Sequence, residues 1–204
     1  MTSPSNLSRL RYESTVGAGT PMVAALGRLL NGGDEVRMIQ GTFSGTLGFV
    51  MSQLEAGQAY SEVVQEAHRK GYTEPDPRDD LGGTDVARKA LILARTMGLK
   101  LEMADLQPQP LFPDELAQLP VPEFLAGLTS LNAQYEGQVQ KARNQDQVLR
   151  YVATIEDGKC EVGLKSVAKL TPMGQLNGTD NLIEIHTDVY RETPLVVQGA
   201  GAGA

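Results

Sequence analysis

Apolar residues recur at helical spacing through the first two-thirds of the chain and at alternate positions through the last third. Met22 to Leu30 keeps the helical period, with Pro21 before it and Asn31-Gly32-Gly33 after it, the order in which proline opens a short helix and glycine closes one. A strand is predicted from about Glu35 to Phe43. Gly45 to Glu55 is again helical, and Ser61 is placed to cap a second helix through Lys70 that stops at Gly71. These two helices pair as a hairpin. Tyr72 to Asp80 cannot be helical, because Pro75 and Pro77 fix their own φ and push Glu74 and Asp76 toward extended backbone. Asp79 or Asp80 then caps a helix to about Met97, ended by Gly98, whose later half is apolar on most sides and therefore buried.

Pro108 to Pro122 reads as proline-rich loop, and two short helices fill Glu123 to Ala142. Beyond that the period changes to two. Val148 to Glu156 and Lys159 to Val167 are strands joined by Asp157-Gly158, a strong two-residue hairpin signal. Asn181 to Tyr190 and Leu195 to Gln198 are further strands. In the first of them Ile183, Ile185, Thr187 and Val189 share one face and Glu184, His186 and Asp188 the other, the pattern of a sheet solvated on one side. The fold class is α+β, with a mixed, largely antiparallel sheet covered on one face by helices. Residues 1–11, rich in Ser and Asn, read as a flexible leader, and residues 12–204 as one domain.

Composition narrows the function classes. Of 204 residues, 41% are hydrophobic, enough for a sizeable core. The net charge is −7, with no basic stripe to neutralise a phosphate backbone, which argues against nucleic acid. The longest apolar run, Ala90 to Ala94, is far short of the roughly 20 residues that span a bilayer, and no secretory pattern opens the chain, so it reads as cytoplasmic. Cys160 is the sole cysteine and sits in an alternating stretch, as a packed strand residue does.

The chemistry concentrates in Gly71 to Lys89, where a rigid acidic connector adjoins a buried helix. Asp85 and Lys89 stand one turn apart. Taken alone they are a helix-surface ion pair. With Leu81 and Ile92 on the same face, Lys89 lies at the rim of a pocket, where partial desolvation tunes an ammonium as a proton donor. Glu74 and Asp80 add acceptors for a cationic group, which an amino acid carries. His68 and His186 look like solvated-face residues.

The segment Ala67 to Lys89, Ala-x-x-x-Gly-aromatic followed by Glu-Pro-Asp-Pro-x-x-Asp-Leu-x-Gly-x-Asp-x-x-x-Lys, resembles the signature of homoserine dehydrogenases. The resemblance extends to Tyr12 to Pro21, to Gly41 to Thr46 and to the terminal Gly-Ala run, and is weakest over Pro108 to Asn144. Its wording is closest to versions fused behind an aspartate kinase. It implies NAD(P)H-dependent reduction of aspartate semialdehyde to homoserine, in threonine, methionine and isoleucine biosynthesis. Lys89 is then the proton donor or relay at the carbonyl oxygen, and Asp85 orients Lys89 and the substrate. Glu74 and Asp80 bind the substrate amino group and hydroxyl, Gly45, Thr46 and Tyr72 line the pocket, and Asp79 is a weaker neighbour that caps the helix.

By the same resemblance the Glu13 carboxylate and the carbonyls of Val16, Ala18 and Thr20 surround a sodium-like ion. Read on residues alone, Gly17 and Gly19 make a tight turn. Gly17-Ala18-Gly19 is not a dinucleotide fingerprint, since Met22 occupies the third glycine position. Gly199, Gly201 and Gly203 correspond to the start of a loop that completes the family's nucleotide site. The family's Rossmann half is absent from this sequence, so the chain by itself is expected to bind nicotinamide nucleotide weakly and to be inactive. A homodimer through the sheet is expected, because the late strands carry more apolar side chains than one covered face requires. The rival reading is a non-catalytic dimerisation or amino-acid-binding module. The two differ in whether Glu74, Asp80, Asp85 and Lys89 face one open pocket.

Overall fold

Asp157 and Gly158 take φ of 50° and 73°, the left-handed pair that a two-residue hairpin turn needs. They join β2 (Gln147–Glu156) to β3 (Lys159–Ala168) in unbroken register from Gln147↔Ala168 to Glu156↔Lys159. In the computed structural model, which describes residues 12–201, this hairpin is one side of a five-stranded sheet in the order β3-β2-β1-β4-β5. The other strands are β1 (Val36–Thr42), β4 (Asn181–Thr187) and β5 (Leu195–Gly199). Every neighbouring pair is antiparallel, so the sheet is not mixed. The predicted leader, and Gly203, lie outside the described residues.

The helices are α1 (Met22–Asn31), α2 (Gly45–Glu55), α3 (Tyr60–Arg69), α4 (Arg78–Leu81), α5 (Thr84–Thr96), α6 (Asp114–Ala117), α7 (Val121–Gly127) and α8 (Asn132–Arg143). Their apolar stripes meet Ile39, Ile155, Ile183 and Ile185 of the sheet in one core that includes Leu26, Leu47, Tyr60 and Leu93. None of the helices is long and apolar enough to cross a membrane.

The opposite face is solvated only in part, not throughout as the alternation suggested. Val152 and Leu182 are fully buried there beneath Met173 and Leu176, and Glu184 is only 8% exposed. The covering segment, residues 169–180, is held by Arg150, whose guanidinium donates to the carbonyls of Met173, Gly174 and Leu176 and to the Glu55 carboxylate. Val189, assigned from its alternation to the buried face, lies beyond the end of β4 and is 74% exposed.

Two predicted caps are also replaced. Ser61 lies inside α3, and its N–H donates to Asn132 Oδ1 at 2.9 Å while Asn132 Nδ2 returns a bond to Ser61 Oγ. The cap comes from 71 residues away, which local sequence cannot reveal. Neither Asp79 nor Asp80 caps α5. Residues 78–81 form their own turn, the chain breaks at Gly82-Gly83, and Gly83 caps α5 at φ +69°. A Cβ on Gly83 would overlap the Tyr151 hydroxyl, which itself donates to Gln109 O. Left-handed backbone costs a non-glycine residue roughly 1–2 kcal/mol, and the overlap adds to that. Gly83→Ala is therefore expected to lower unfolding free energy by at least about 2 kcal/mol in urea; an unchanged midpoint would show that Gly83 does not specify the break.

Candidate functional site

Gly71 ends α3 at φ +70°, with Tyr72 N–H donating back to Ala67 O at 2.9 Å, the hydrogen bond that closes a helix before a left-handed residue. The proline-stiffened connector then runs past the start of α2, where Thr46 Oγ1 donates to Tyr72 O at 2.5 Å. Its acids separate by partner. Asp76 pairs with Arg78 at 2.6 Å, and that hydrogen-bonded guanidinium holds its carboxyl below the usual range. Arg78 also donates to Ala117 O and Leu119 O, clasping the connector to the loop region beyond α5. Asp80 has no such cation. It accepts from Glu74 N–H at 2.8 Å, and burial pushes its carboxyl above the usual range.

Because α5 starts at Thr84, Asp85 and Lys89 occupy successive turns of its first half. Lys89 Nζ lies 2.7 Å from Asp85 Oδ2 and donates to Phe43 O at 2.8 Å. A surface ion pair needs no second partner on another element; here the ammonium reaches the end of β1, and its side chain is only 24% exposed.

Gly45, Thr46, Tyr72, Glu74, Asp80, Asp85 and Lys89 line one cavity of about 750 Å³. The four side chains that separate the enzymatic reading from the binding-module reading thus share one open space. Asp79 is not among the lining residues and is exposed on α4. Tyr72, 45% exposed, stands on the wall with its ring edge toward Phe49.

The turn from Glu13 to Thr20 adjoins the cavity through Ser14 and Ala18. Gly17 and Ala18 are both left-handed. Glu13 Oε1 is buried without a hydrogen-bond partner. The carbonyls of Val16 and Ala18 take no part in hydrogen bonds among the described residues, whereas Thr20 O accepts from Met22 N–H. Gly199 closes β5 against Thr20, and a Cβ on Gly201 would press on Thr179 O and Asn181 Nδ2. Both glycines serve close packing here, beside the cavity wall.

Sequence reading missed Thr179, Asn181 and Lys70, which also line the cavity. Lys70 pairs with Glu66 at 2.6 Å and lies 5.6 Å from the Phe49 ring centroid. Its place at the end of a helix, next to Gly71, was the available signal. For Thr179 and Asn181, more than 80 residues downstream of Lys89, no local pattern existed.

Residues 21–204 match the family model for homoserine dehydrogenase. The chloroplastic bifunctional aspartokinase/homoserine dehydrogenase 2 of Zea mays is 45% identical over 196 residues, 95% of this chain and 21% of that protein. Homoserine dehydrogenase of Emericella nidulans is 44% identical over 205 residues, 94% of this chain and 56% of that protein. The crystal structure of a putative homoserine dehydrogenase from Archaeoglobus fulgidus has a TM-score of 0.76 at 28% identity, over 95% of this chain and 53% of that one. The chain therefore spans about half of the single-function relative and about a fifth of the bifunctional one.

Burial of Asp80 makes a stability prediction whose sign is fixed by its raised carboxyl. A carboxylate whose folded value exceeds its unfolded value favours folding only while protonated, and weakens it as pH rises through that window. Asp80→Asn, which keeps an acceptor for Glu74 N–H, is expected to be more stable than the parent at pH 7. The gain should fade as pH falls toward about 4, the ordinary aspartate range. Thermal melts across pH check this, and a variant less stable at pH 7 would contradict it.

Proposed function

The chain belongs to the homoserine dehydrogenase family, and from that premise we propose that its cavity is the amino-acid half of a nicotinamide-dependent oxidoreductase site, where aspartate semialdehyde is reduced to homoserine. The observation that carries this reading is the setting of Lys89. An ammonium has three N–H donors; Phe43 O and Asp85 take two, and one remains for a ligand oxygen in the cavity. As hydride reaches the carbonyl carbon, negative charge grows on that oxygen, and a donor held in place stabilises it and delivers the proton. Asp85 keeps Lys89 oriented. Glu74 and Asp80 offset the desolvation of the substrate α-ammonium, while Gly45, Thr46 and Tyr72 shape the wall. Asp79 has at most a secondary part, through its neighbour Asp80.

NADPH or NADH supplies the hydride when bound. The described residues contain no pair of parallel strands and hence no strand-turn-helix cradle for a dinucleotide phosphate, and the space beside Gly201 is taken by Thr179 and Asn181. We therefore assign coenzyme binding mainly to a separate nucleotide-binding unit, accompanied in bifunctional proteins by an aspartokinase. The 204 residues alone are expected to bind the coenzyme weakly and not to turn over. NADPH oxidation with aspartate semialdehyde, measured with and without a supplied nucleotide-binding half, tests the assignment.

The Glu13 turn fits a monovalent cation. Hard cations take oxygen ligands, and an orphaned buried carboxylate oxygen beside two uncommitted carbonyls is such a set. Glu13 and the carbonyls of Val16, Ala18 and Thr20 would hold sodium. The half-buried Met38, Lys165, His186 and Val196 leave part of the outer sheet face open, and we assign it to a two-fold homodimer.

Lys89→Ala in the complete enzyme is expected to cut kcat by about 10²–10⁴-fold with little change in KM; an intact rate would remove Lys89 from the chemistry. For the chain itself, sodium is expected to raise Tm in the parent and not in Glu13→Ala, and sedimentation at micromolar concentration should give a dimer. A cation-insensitive melt, or a clean monomer, would remove the corresponding assignment.

A further inference from the structure

Thr179 and Asn181 form a part of the cavity wall that none of the roles above uses. Asn181 opens β4, paired with Gly199, and immediately precedes Leu182, whose partner Thr42 ends β1. One step beyond that pair the antiparallel ladder leads to Phe43, the residue whose carbonyl holds Lys89 Nζ. Only 3% of Asn181 is exposed, and its Oδ1 meets no hydrogen-bond donor. A buried acceptor left unmet is costly, so it is an unusual thing for a fold to keep. Among the residues lining this cavity Asn181 is the one carboxamide.

Its position is set from outside the cavity. Arg150 secures Met173 to Leu176, and Gly178 N–H then donates to Ser52 Oγ at 3.1 Å. Gly48 approaches so closely that a Cβ would come within 2.7 Å of Gly178 O, and a Cβ on Gly45 would come within 3.2 Å of Thr179 Cβ. The segment is zipped along α2 until it delivers Asn181 to the Lys89 end of the cavity.

We propose that Asn181 Oδ1 accepts the hydrogen of the ligand's side-chain hydroxyl, so that Asn181 distinguishes an amino alcohol from the corresponding aldehyde; this rests on the amino-acid reading of the cavity. An alcohol oxygen that accepts from Lys89 still carries a hydrogen that needs an acceptor. Phe43 O and Asp85 Oδ2 already receive Lys89, Glu74 and Asp80 face the α-ammonium in the reading above rather than sharing in the hydroxyl, and Asn181 Oδ1 is uncommitted. An aldehyde has no hydrogen to give. The residue thus acts on binding of the alcohol, separately from the proton donated by Lys89.

The test is calorimetric titration of the 204-residue chain with homoserine and with 2-aminobutyrate, which is the same amino acid without the hydroxyl. The parent is expected to favour homoserine through two hydrogen bonds, one from Lys89 and one to Asn181, the second worth about fivefold. Asn181→Ala should lose about fivefold of that preference and keep the part that Lys89 supplies, and Asn181→Asp, which keeps an acceptor, should retain the whole. If the preference is undiminished in Asn181→Ala, the proposal is overturned, and its loss in Asp80→Ala instead would reassign the hydroxyl hydrogen to Asp80. Equal weakening of both ligands with an unchanged ratio marks a structural role and overturns it too. Should Asn181→Ala fail to fold, loss of the preference in a folded Asn181→Asp overturns it. Binding of both amino acids by the parent with no preference removes the Asn181 assignment alone, whereas no binding of either removes the amino-acid reading with it.

Discussion

The guanidinium of Arg150 is 3% exposed on β2, and the arrangement around the cavity depends on it. Removing such a charge from water is expensive unless nearly all of its donors are met, and here they are met by carbonyls of Leu149, Met173, Gly174 and Leu176 and by Glu55. Four of those five partners lie outside its own strand. Satisfying the charge therefore forces the end of α2 and the segment after β3 to the same place. That covers Val152 and Leu182 and brings the chain into β4 along α2. One electrostatic requirement thus sets both the covering of Val152 and Leu182 on the outer sheet face and the position of a cavity wall about 30 residues later in sequence.

The cavity itself is made where separate elements end. β1 contributes the Phe43 carbonyl, α2 its first turn, the proline connector its acids, and α5 the Asp85–Lys89 pair. Termini carry unsatisfied backbone groups and point side chains into gaps that regular packing leaves. What keeps such a junction from being loose is a set of close approaches: Gly83 against Tyr151, Gly48 against Gly178 and Gly45 against Thr179. A Cβ would overlap at Gly83 and Gly48 and would be a tight contact at Gly45. Arg78, bonded to Asp76 and to two carbonyls of the region before α7, does the same for the connector.

What the sequence revealed follows the range of the forces involved. Asp157-Gly158, Pro21, Gly71 and Gly98 act through φ preferences within two or three residues, and α1, α2 and the β2–β3 hairpin appear where those signals place them. The Gly71 to Lys89 run was legible as a site because its acids and its lysine are close in the chain. The replacement of Ser61 as a cap by Asn132 and the arrival of Asn181 at the cavity along Ser52 depend on partners 71 and 126 residues away, for which no local pattern exists, and the burial of Glu184 follows from a covering segment that Arg150 holds in place. Asp80 is the instructive intermediate. Its chemistry as an acceptor was legible, but its role as a helix cap was not realised, because the paired glycines at 82 and 83 break the chain after α4.

The acids of the connector show how one short stretch separates structural from functional charge. Asp76 and Asp80 are four residues apart and chemically identical, yet Arg78 commits the first, while the second is desolvated with the Glu74 N–H and the Thr46 hydroxyl, and no cation, to offset its charge. An arginine that already holds two carbonyls cannot turn toward Asp80 without abandoning them. The same commitment that fixes the connector therefore keeps Asp80 uncompensated. A fold selected for stability alone would neutralise that carboxylate or replace it. Its persistence, together with the unmet oxygens of Glu13 and Asn181 on the flanks of the same cavity, is the pattern expected where local rules are broken for a ligand. Glu184, equally orphaned, sits under the 169–180 segment on the other face of the sheet, so an unmet oxygen alone does not mark a site. The distinction lies in the open volume that Asp80 and Asn181 line and that Glu13 adjoins through Ser14, and in a second charged group, Lys89, on the same wall.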